Sequence, residues 1–337
     1  MPDALRVIDF GSASALRSQT LWHALAYGVS HGSPPTLAFV RPAEPYVCIG
    51  YHRRLEEVDL EGCRARGLPV YRRMVGGGPV YLDDRQLFFQ IVVPVEDVPL
   101  RRDAALRHLL SPAVEAFRSV GVDARLDERL EIVLGDAKIC GHGAGQVEQA
   151  VVVVGNLIER FDHAEAVDVL AMPDGAARGE LLRLMRRYVA ATPADSEAFK
   201  AAMTREYARA LGLSPVVAEL TGYERRRVDA LDRRFRSEAW LRGHARPEPA
   251  AREVKVRAGV WVFAAEHEGA RVAAGVVDGR IERAFLSDAD LNGAKADLET
   301  ALAGTTLAEA RETLAGFGPP GERLAAAVAK ADGRAHE

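Results

Sequence analysis

Two arginines stand directly before three glycines in the stretch Arg72-Arg73-Met74-Val75-Gly76-Gly77-Gly78-Pro79-Val80-Tyr81. Consecutive glycines cost backbone entropy and pack no side chain, so they mark a place where backbone approaches a ligand closely or takes positive φ. Backbone N–H groups free of Cβ bulk can cradle an anion, and nearby guanidinium groups can pair with its oxygens. The stretch reads as a phosphate- or carboxylate-binding loop. The competing reading is a glycine-rich hairpin turn with solvated arginines. A second glycine-rich segment, Gly141-His142-Gly143-Ala144-Gly145, follows Lys138-Ile139-Cys140. A lysine beside such a segment meets a phosphate or carbonyl as a point charge. Two glycine-rich loops, one with arginines and one with a lysine, suit an anionic ligand with an elongated body.

Cys140 and His142 lie two residues apart, so both could face one side of an extended strand, and such a pair would activate a thiolate. Against this, free cysteine most often behaves as a small buried residue. Cys48 and Cys63 stand in apolar strand and helix contexts and read as core. Asp83 and Asp84 could hold Mg²⁺ or mark the turn after Tyr81, and the turn is favoured.

The elements that must position these residues follow from pattern. Residues 5–10, 36–40, 46–50 and 68–73 read as strands, with the last running into the glycine loop. Residues 15–27 form a helix after Ser14, and Asp59 to Arg66 a shorter one closed by Gly67. Leu87 to Val93 is a strand with so little alternation that both faces should be buried. Ser111-Pro112 suggests a helix start, with serine as cap and proline at the first position. Residues 130–134 and 138–140 form a hairpin around Gly135-Asp136, and residues 150–158 a further strand. Residues 164–170 and 196–211 read as helices. An arginine-rich helix spans 223–242; its interspersed Glu224, Asp229, Asp232 and Glu238 favour a solvated face over a nucleic-acid patch. After a linker at 246–250, strands at 254–263, 270–277 and 280–285 suggest a three-stranded meander covered by helices at 291–302 and 307–314. The expected architecture is α+β, with a mixed catalytic domain over 1–245, a small α+β domain over 246–330 and a fraying tail at 331–337.

The 337 residues allow two domains, and 48% hydrophobic with 27% charged content is ordinary for a globular chain. A net charge of −4 argues against nucleic acid as a bulk electrostatic partner. Three cysteines match no zinc pattern and no disulfide framework. No signal-peptide form opens the chain, and no apolar run approaches the roughly 18 residues needed to span a bilayer. The expected setting is a reducing cytoplasm, without membrane partners, and the expected state a monomer.

The spacing Arg72-Arg73-Met-Val-Gly-Gly-Gly-Pro-Val-Tyr-Leu-Asp83 resembles the RRxxGGGxVxHD signature of the lipoate–protein ligase and octanoyltransferase family. Lys138-Ile-Cys-Gly141 resembles its KxxG element, whose lysine is catalytic. Gly155 stands fourteen residues after Gly141, where the family has a His-Gly-Ser/Thr element at the same distance. Pro45 to Gly50 and Glu56 to Asp59 resemble the upstream strand and loop. The helix ending at Trp240 is similar to the segment that closes the catalytic domain, and residues 254–330 to the accessory domain of the ligase branch. Leu82 replaces the usual histidine of the first signature, Val154-Gly155-Asn156 replaces His-Gly-Ser/Thr, and Leu130-Glu131 stand where ligases usually carry Asn-Asp. The segment after Gly141 also departs from the family's Gly-Ser-Ala-Gln.

The resemblance implies a biotin/lipoate-ligase-like catalytic domain, with Lys138 catalytic and Arg72, Arg73, Gly76, Gly77, Gly78, Val80, Gly141 and Gly155 at the substrate or adenylate. It implies ATP with Mg²⁺, lipoate or octanoate as substrate, and a lipoyl-domain acceptor such as 2-oxoacid dehydrogenase E2 or glycine cleavage H protein. The transferase branches use a cysteine either about fifteen residues before the lysine or well after it. Neither position carries one here, which favours the ligase branch. A transferase using Cys140, or a non-catalytic paralogue that binds lipoyl-AMP or lipoyl domains, are the alternatives.

Overall fold

The apolar run at 87–93 lies inside a strand, Gln86–Pro94, buried along its length except for the closing proline. Leu87, Phe89, Ile91 and Val93 enter one core, while Val92 enters a second on the opposite face. This strand is internal to the main sheet, and its lack of alternation has that cause.

The computed structural model of the protein describes residues 4–243, 249–291 and 293–331. It opens with β1 (Ala4–Ala13), α1 (Ala15–Ser30), β2 (Thr36–Pro42), β3 (Tyr46–Ile49), α2 (Leu60–Ala65), β4 (Val70–Arg72), β5 (Val80–Leu82) and β6 (Gln86–Pro94). Then come α3 (Arg102–Ser119), β7 (Arg125–Leu126), β8 (Ile132–Leu134), β9 (Ala137–Lys138), β10 (Gly143–Val147) and β11 (Ala150–Ile158). The middle of the chain forms α4 (His163–Asp168), α5 (Gly175–Tyr188), α6 (Ser196–Leu211), β12 (Ser214–Val217), α7 (Gly222–Phe235) and α8 (Glu238–Arg242). The last stretch forms β13 (Arg252–Arg257), β14 (Val260–His267), β15 (Ala270–Val277), β16 (Arg280–Ser287), α9 (Lys295–Leu302), α10 (Leu307–Ala315) and α11 (Gly318–Val328).

Two compact units result, one from residues 4–162 and 190–243, the other from 163–189 and 249–331. In the first, a mixed six-stranded sheet has the order β10-β11-β6-β2-β1-β12. Helices α3 and α6 supply Leu110, Phe117, Phe199 and Tyr207 to one core of this sheet, and α1 supplies Trp22 and Leu25 to the other. Ser14 caps α1 through its side chain, and nearly every residue of that helix is buried, as befits a helix lying between a sheet and another helix. Two small sheets, β4-β3-β5 and β7-β8-β9, carry the glycine loop and Lys138. The α+β expectation holds: a mixed sheet flanked by helices is joined by a smaller α+β region.

Several expectations are corrected. Helix α3 begins at Arg102, and Pro112 lies inside it rather than at its start. The apolar face from Leu109 to Phe117 packs into the core and outweighs the proline's missing N–H. The acids of α7 do not all lie on a solvated face. Glu224 is buried against Arg6 at 2.5 Å, and Asp232 accepts from Thr20 and pairs with Arg17. The meander has four strands, in the order β13-β14-β15-β16, because the chain turns at Ala258-Gly259 within the run expected to be one strand. Gly259 has φ +75, which supplies the turn while apolar alternation continues across it.

Helix α5 had no sequence expectation, and it lies within the stretch assigned to the first domain. Residues 163–189 belong with the second unit, where Leu184 and Glu180 press on Gly275 of β15 and Arg183 bridges Glu180 and Glu282. The other face of the four-stranded sheet buries Trp261, Phe263, Val272 and Val276 with Leu298, Leu314 and Leu324 from α9, α10 and α11. Most of the expected linker and nearly all of the expected tail lie outside the described residues.

Candidate active site

The two arginines before the glycines both bind backbone carbonyls. Arg72 is 2% exposed, and its guanidinium donates to five backbone carbonyls: Gly50, Tyr51 and Arg53 on one side, Leu241 and Arg242 of α8 on the other. Arg73 donates to the carbonyls of Gly76, Gly78 and Cys48. The sequence placed both residues at the substrate or adenylate; here both guanidinium groups are committed to backbone carbonyls. They organise backbone, and a planar fork of fixed donors suits several carbonyls at once. With the Gly76 carbonyl turned onto Arg73, the Gly77 N–H of the same peptide points the other way. Gly76, Gly77 and Gly78 are exposed, and their N–H groups donate to no acceptor among the described residues. Val80, next along, is 39% exposed.

Two features beneath the loop escaped the sequence reading. His23 of α1 is fully buried; its Nδ1 lies 2.6 Å from the carbonyl of Gln19, and Nε2 accepts from the Met74 N–H at 3.0 Å. Those partners require a neutral ring, and burial pushes its pKa down to about 3. Gly50 is the second. A Cβ there would stand 2.0 Å from the Gly77 carbonyl oxygen, so only glycine lets β3 and the loop approach this closely. Gly77 itself takes φ +99.

The two glycine-rich segments do come together, and they meet at Val75. A Cβ on Gly145 would lie 2.7 Å from the Val75 side chain, and one on Gly143 would lie 3.9 Å from it. Glycines in β10 thus make room for the base of the loop. Gly155, expected at the adenylate, is buried in β11, where its missing side chain admits the Phe89 ring; a Cβ would meet that ring at 2.3 Å. The Gly141 N–H is also committed, donating to Asn156 Oδ1 at 2.7 Å. Gly155 is thus filled by packing, whereas Gly141 is exposed with its N–H held by Asn156.

Lys138 ends β9 of the expected hairpin, and its Nζ lies 3.0 Å from Glu131 Oε1. Its carbonyl accepts from Ala190 N–H at 2.9 Å. Glu131 follows Leu130, which holds the left-handed φ of +62 that asparagine adopts more readily. Cys140 is fully buried in the core, its Sγ accepts from the Asn156 N–H, and burial pushes the thiol up to about 12. Cys48 and Cys63 are buried as expected. A Cys140 thiolate activated by His142 is opposed by this burial.

Asp83 marks the turn, its Oδ1 accepting from Arg85 N–H and Gln86 Nε2, and burial raises its pKa. Among the described residues no group of three or more His, Cys, Asp or Glu side chains could hold a metal ion. Among the described residues no helix is long and apolar enough to cross a membrane.

Residues 15–204 match the family model of the lipoyl protein ligase A/B catalytic domain. An octanoyltransferase LipM of Kyrpidia tusciae is 26% identical over 267 residues, covering 70% of this chain and 97% of the relative. Among solved structures, a bipartite lipoate protein ligase from Thermoplasma acidophilum, described with its E2 lipoyl domain, aligns with a TM-score of 0.66 and 25% identity. It covers 74% of this chain and 99% of its own. A lipoate-protein ligase A bound with ATP aligns with a TM-score of 0.61 and 23% identity, over 72% and 99% of the two chains. With a matched core of that extent, the chain belongs to the lipoyl protein ligase A/B catalytic-domain family.

Proposed function

We propose that the protein is an ATP-dependent lipoate–protein ligase that activates lipoate, or octanoate, and transfers it to a lysine of a lipoyl domain. The observation that carries this reading is the state of the cysteines: all three are buried, and the Cys140 thiol is pushed up to about 12. A transferase needs a thiolate that can reach its thioester. A ligase needs none. The relatives named as ligases, one of them bound with ATP and another described with its E2 lipoyl domain, support the same choice.

In the first half-reaction the carboxylate of lipoate attacks the α-phosphate of ATP, forming the acyl–phosphate bond as pyrophosphate leaves. In the second, the amine of the acceptor lysine attacks the acyl carbonyl, forming an amide as AMP leaves and the amine gives up a proton. Negative charge grows on phosphate oxygens in the first step and on the carbonyl oxygen in the second. Lys138 supplies the cation for both, and the amides of the exposed Gly76, Gly77 and Gly78 supply donors. Glu131 holds the ammonium in place between turnovers.

The second reading is an octanoyltransferase, favoured by the relatives named octanoyltransferase LipM. Intact-mass analysis of a lipoyl domain incubated with the enzyme separates the two. The expected result is a mass gain that requires ATP and lipoate, survives Cys140→Ala, and falls by about 10²–10³ in rate in Lys138→Ala. A gain from an octanoyl carrier-protein thioester without ATP, abolished in Cys140→Ala, establishes the transferase instead.

A further inference from the structure

Asn156 stands where the two halves of the site are tied together. Its Oδ1 accepts from the Gly141 N–H at 2.7 Å, and its Nδ2 donates to Gln86 Oε1 at 2.8 Å. Gln86 Nε2 donates in turn to Asp83 Oδ1 at 3.3 Å and to the Tyr81 carbonyl at 3.4 Å. Asn156, Gln86 and Asp83 are 6%, 1% and 3% exposed. A buried polar run therefore joins the end of β5, which continues from the glycine loop, to the residue three positions after Lys138.

The direction of this run is fixed by its ends. Gly141 offers a donor, so Asn156 must present oxygen there and its nitrogen to Gln86. Gln86 must then present oxygen to Asn156 and nitrogen to the Tyr81 carbonyl and Asp83. Flipping either amide sets donor against donor or acceptor against acceptor. Gly141 lies between β9 and β10, outside both strands. Between Lys138 and β10 the Ile139 N–H donates to the Ile132 carbonyl and the Gly141 N–H to Asn156. The Asn156 carboxamide thus pins the segment that leaves the lysine. Burying three polar side chains is costly unless each is matched, and a matched network specifies one arrangement.

We propose that Asn156, acting with Gln86, is a positioning residue: through Gly141 it sets where Lys138 stands relative to the glycine loop, so its loss lowers turnover and not substrate binding. The kinetic arm of this inference rests on the ligase reading. It is tested with wild type, Asn156→Ala, Gln86→Ala and the double variant, each shown to be folded by thermal melting. Misplacing a catalytic group by about 1 Å costs about 10²-fold. Each single variant is expected to lose between about 10- and 100-fold in kcat, with KM for ATP and lipoate changed less than about threefold. The double variant is expected to be no slower than the slower single. Asn156→Asp, whose protonated carboxyl restores one donor and one acceptor, should regain kcat relative to wild type as pH is lowered from about 8 to 6.

Folded single variants with unchanged kcat, losses confined to KM, or losses that multiply in the double variant would overturn the proposal. Hydrogen exchange at the Gly141 amide gives a readout independent of the reaction. It should quicken at least about tenfold in both Asn156→Ala and Gln86→Ala, since loss of either partner frees the carboxamide. Wild-type enzyme without ATP-dependent turnover defeats the ligase reading alone. In that event Gly141 exchange decides, and an unchanged rate in Gln86→Ala rejects the positioning run. Should Asn156→Ala fail to fold, Asn156→Asp and Gln86→Ala carry the same comparisons.

Discussion

His23 makes the glycine loop sensitive to acid. In the folded protein its pKa is about 3, whereas an unperturbed histidine titrates near 6.5. The unfolded chain therefore binds a proton that the folded chain refuses. The contribution is fully present above about pH 6.5 and is lost as pH falls toward 3, at up to about 1.4 kcal/mol per pH unit. Protonation would also turn Nε2 from an acceptor into a donor facing the Met74 N–H. Urea midpoints measured between pH 7 and 5 should fall more steeply for wild type than for His23→Gln, which cannot titrate. Parallel slopes would show that His23 does not titrate on unfolding. None of this was legible in the sequence, because His23 and Met74 are 51 positions apart and no local pattern links them.

At the scale of elements, the β4–β5 loop is held from three sides: Arg73 on its carbonyls, Val75 against β10, and Gly50 against Gly77. Gly50→Ala sets a methyl 2.0 Å from backbone that cannot rotate away, so β3 or the loop must move. The expected outcome is a loss of at least about 10²-fold in kcat/KM, beyond what the melting temperature explains. Gly155→Ala is the contrast, because its methyl meets the Phe89 ring in the core. That variant should lose about 1–3 kcal/mol of stability through overpacking while the folded fraction keeps most of its activity. Equal ratios of activity loss to stability loss in the two variants would show that the loop is not the sensitive element.

The same elements show what a sequence can disclose. The unbroken apolar run of β6 announced its two buried faces, and Gly135-Asp136 announced the Lys138 hairpin. The residue types Arg72, Arg73, the three glycines and Lys138 marked a candidate site. Their partners did not show, because Arg72 reaches α8 across 169 positions and Asn156 reaches Gln86 across 70. Gly155, valued in the sequence as a ligand contact, makes room for the ring of Phe89, 66 positions away. Helix α5 was missed because arginines crowd its few apolar positions, and the turn at Gly259 because alternation persists through it.

For the molecule as a whole, the discontinuity of the first unit has practical weight. The chain leaves after Ile158 and returns at Thr192, whose N–H bonds the Ile158 carbonyl at 2.7 Å. The excursion carries α5, whose Leu181 and Leu184 are fully buried within the second unit. A fragment ending at residue 245 would strip α5 of its sheet and expose both leucines, each worth about 1.5–3 kcal/mol of burial. Light scattering should find that fragment associated, and a version with 163–189 replaced by a short flexible linker monomeric. A monomeric, protease-resistant 1–245 fragment would contradict this division of the chain.

Arg73 has a consequence beyond shaping the loop. Its four hydrogen bonds all go to neutral carbonyls, and among the described residues it forms no ion pair. A full positive charge thus stands beneath the glycines, damped only by dipoles. The field it sends through the loop reaches into solvent over about 8–10 Å at ordinary ionic strength. An anion approaching the exposed glycines is drawn in before it makes any contact, and added salt weakens that pull.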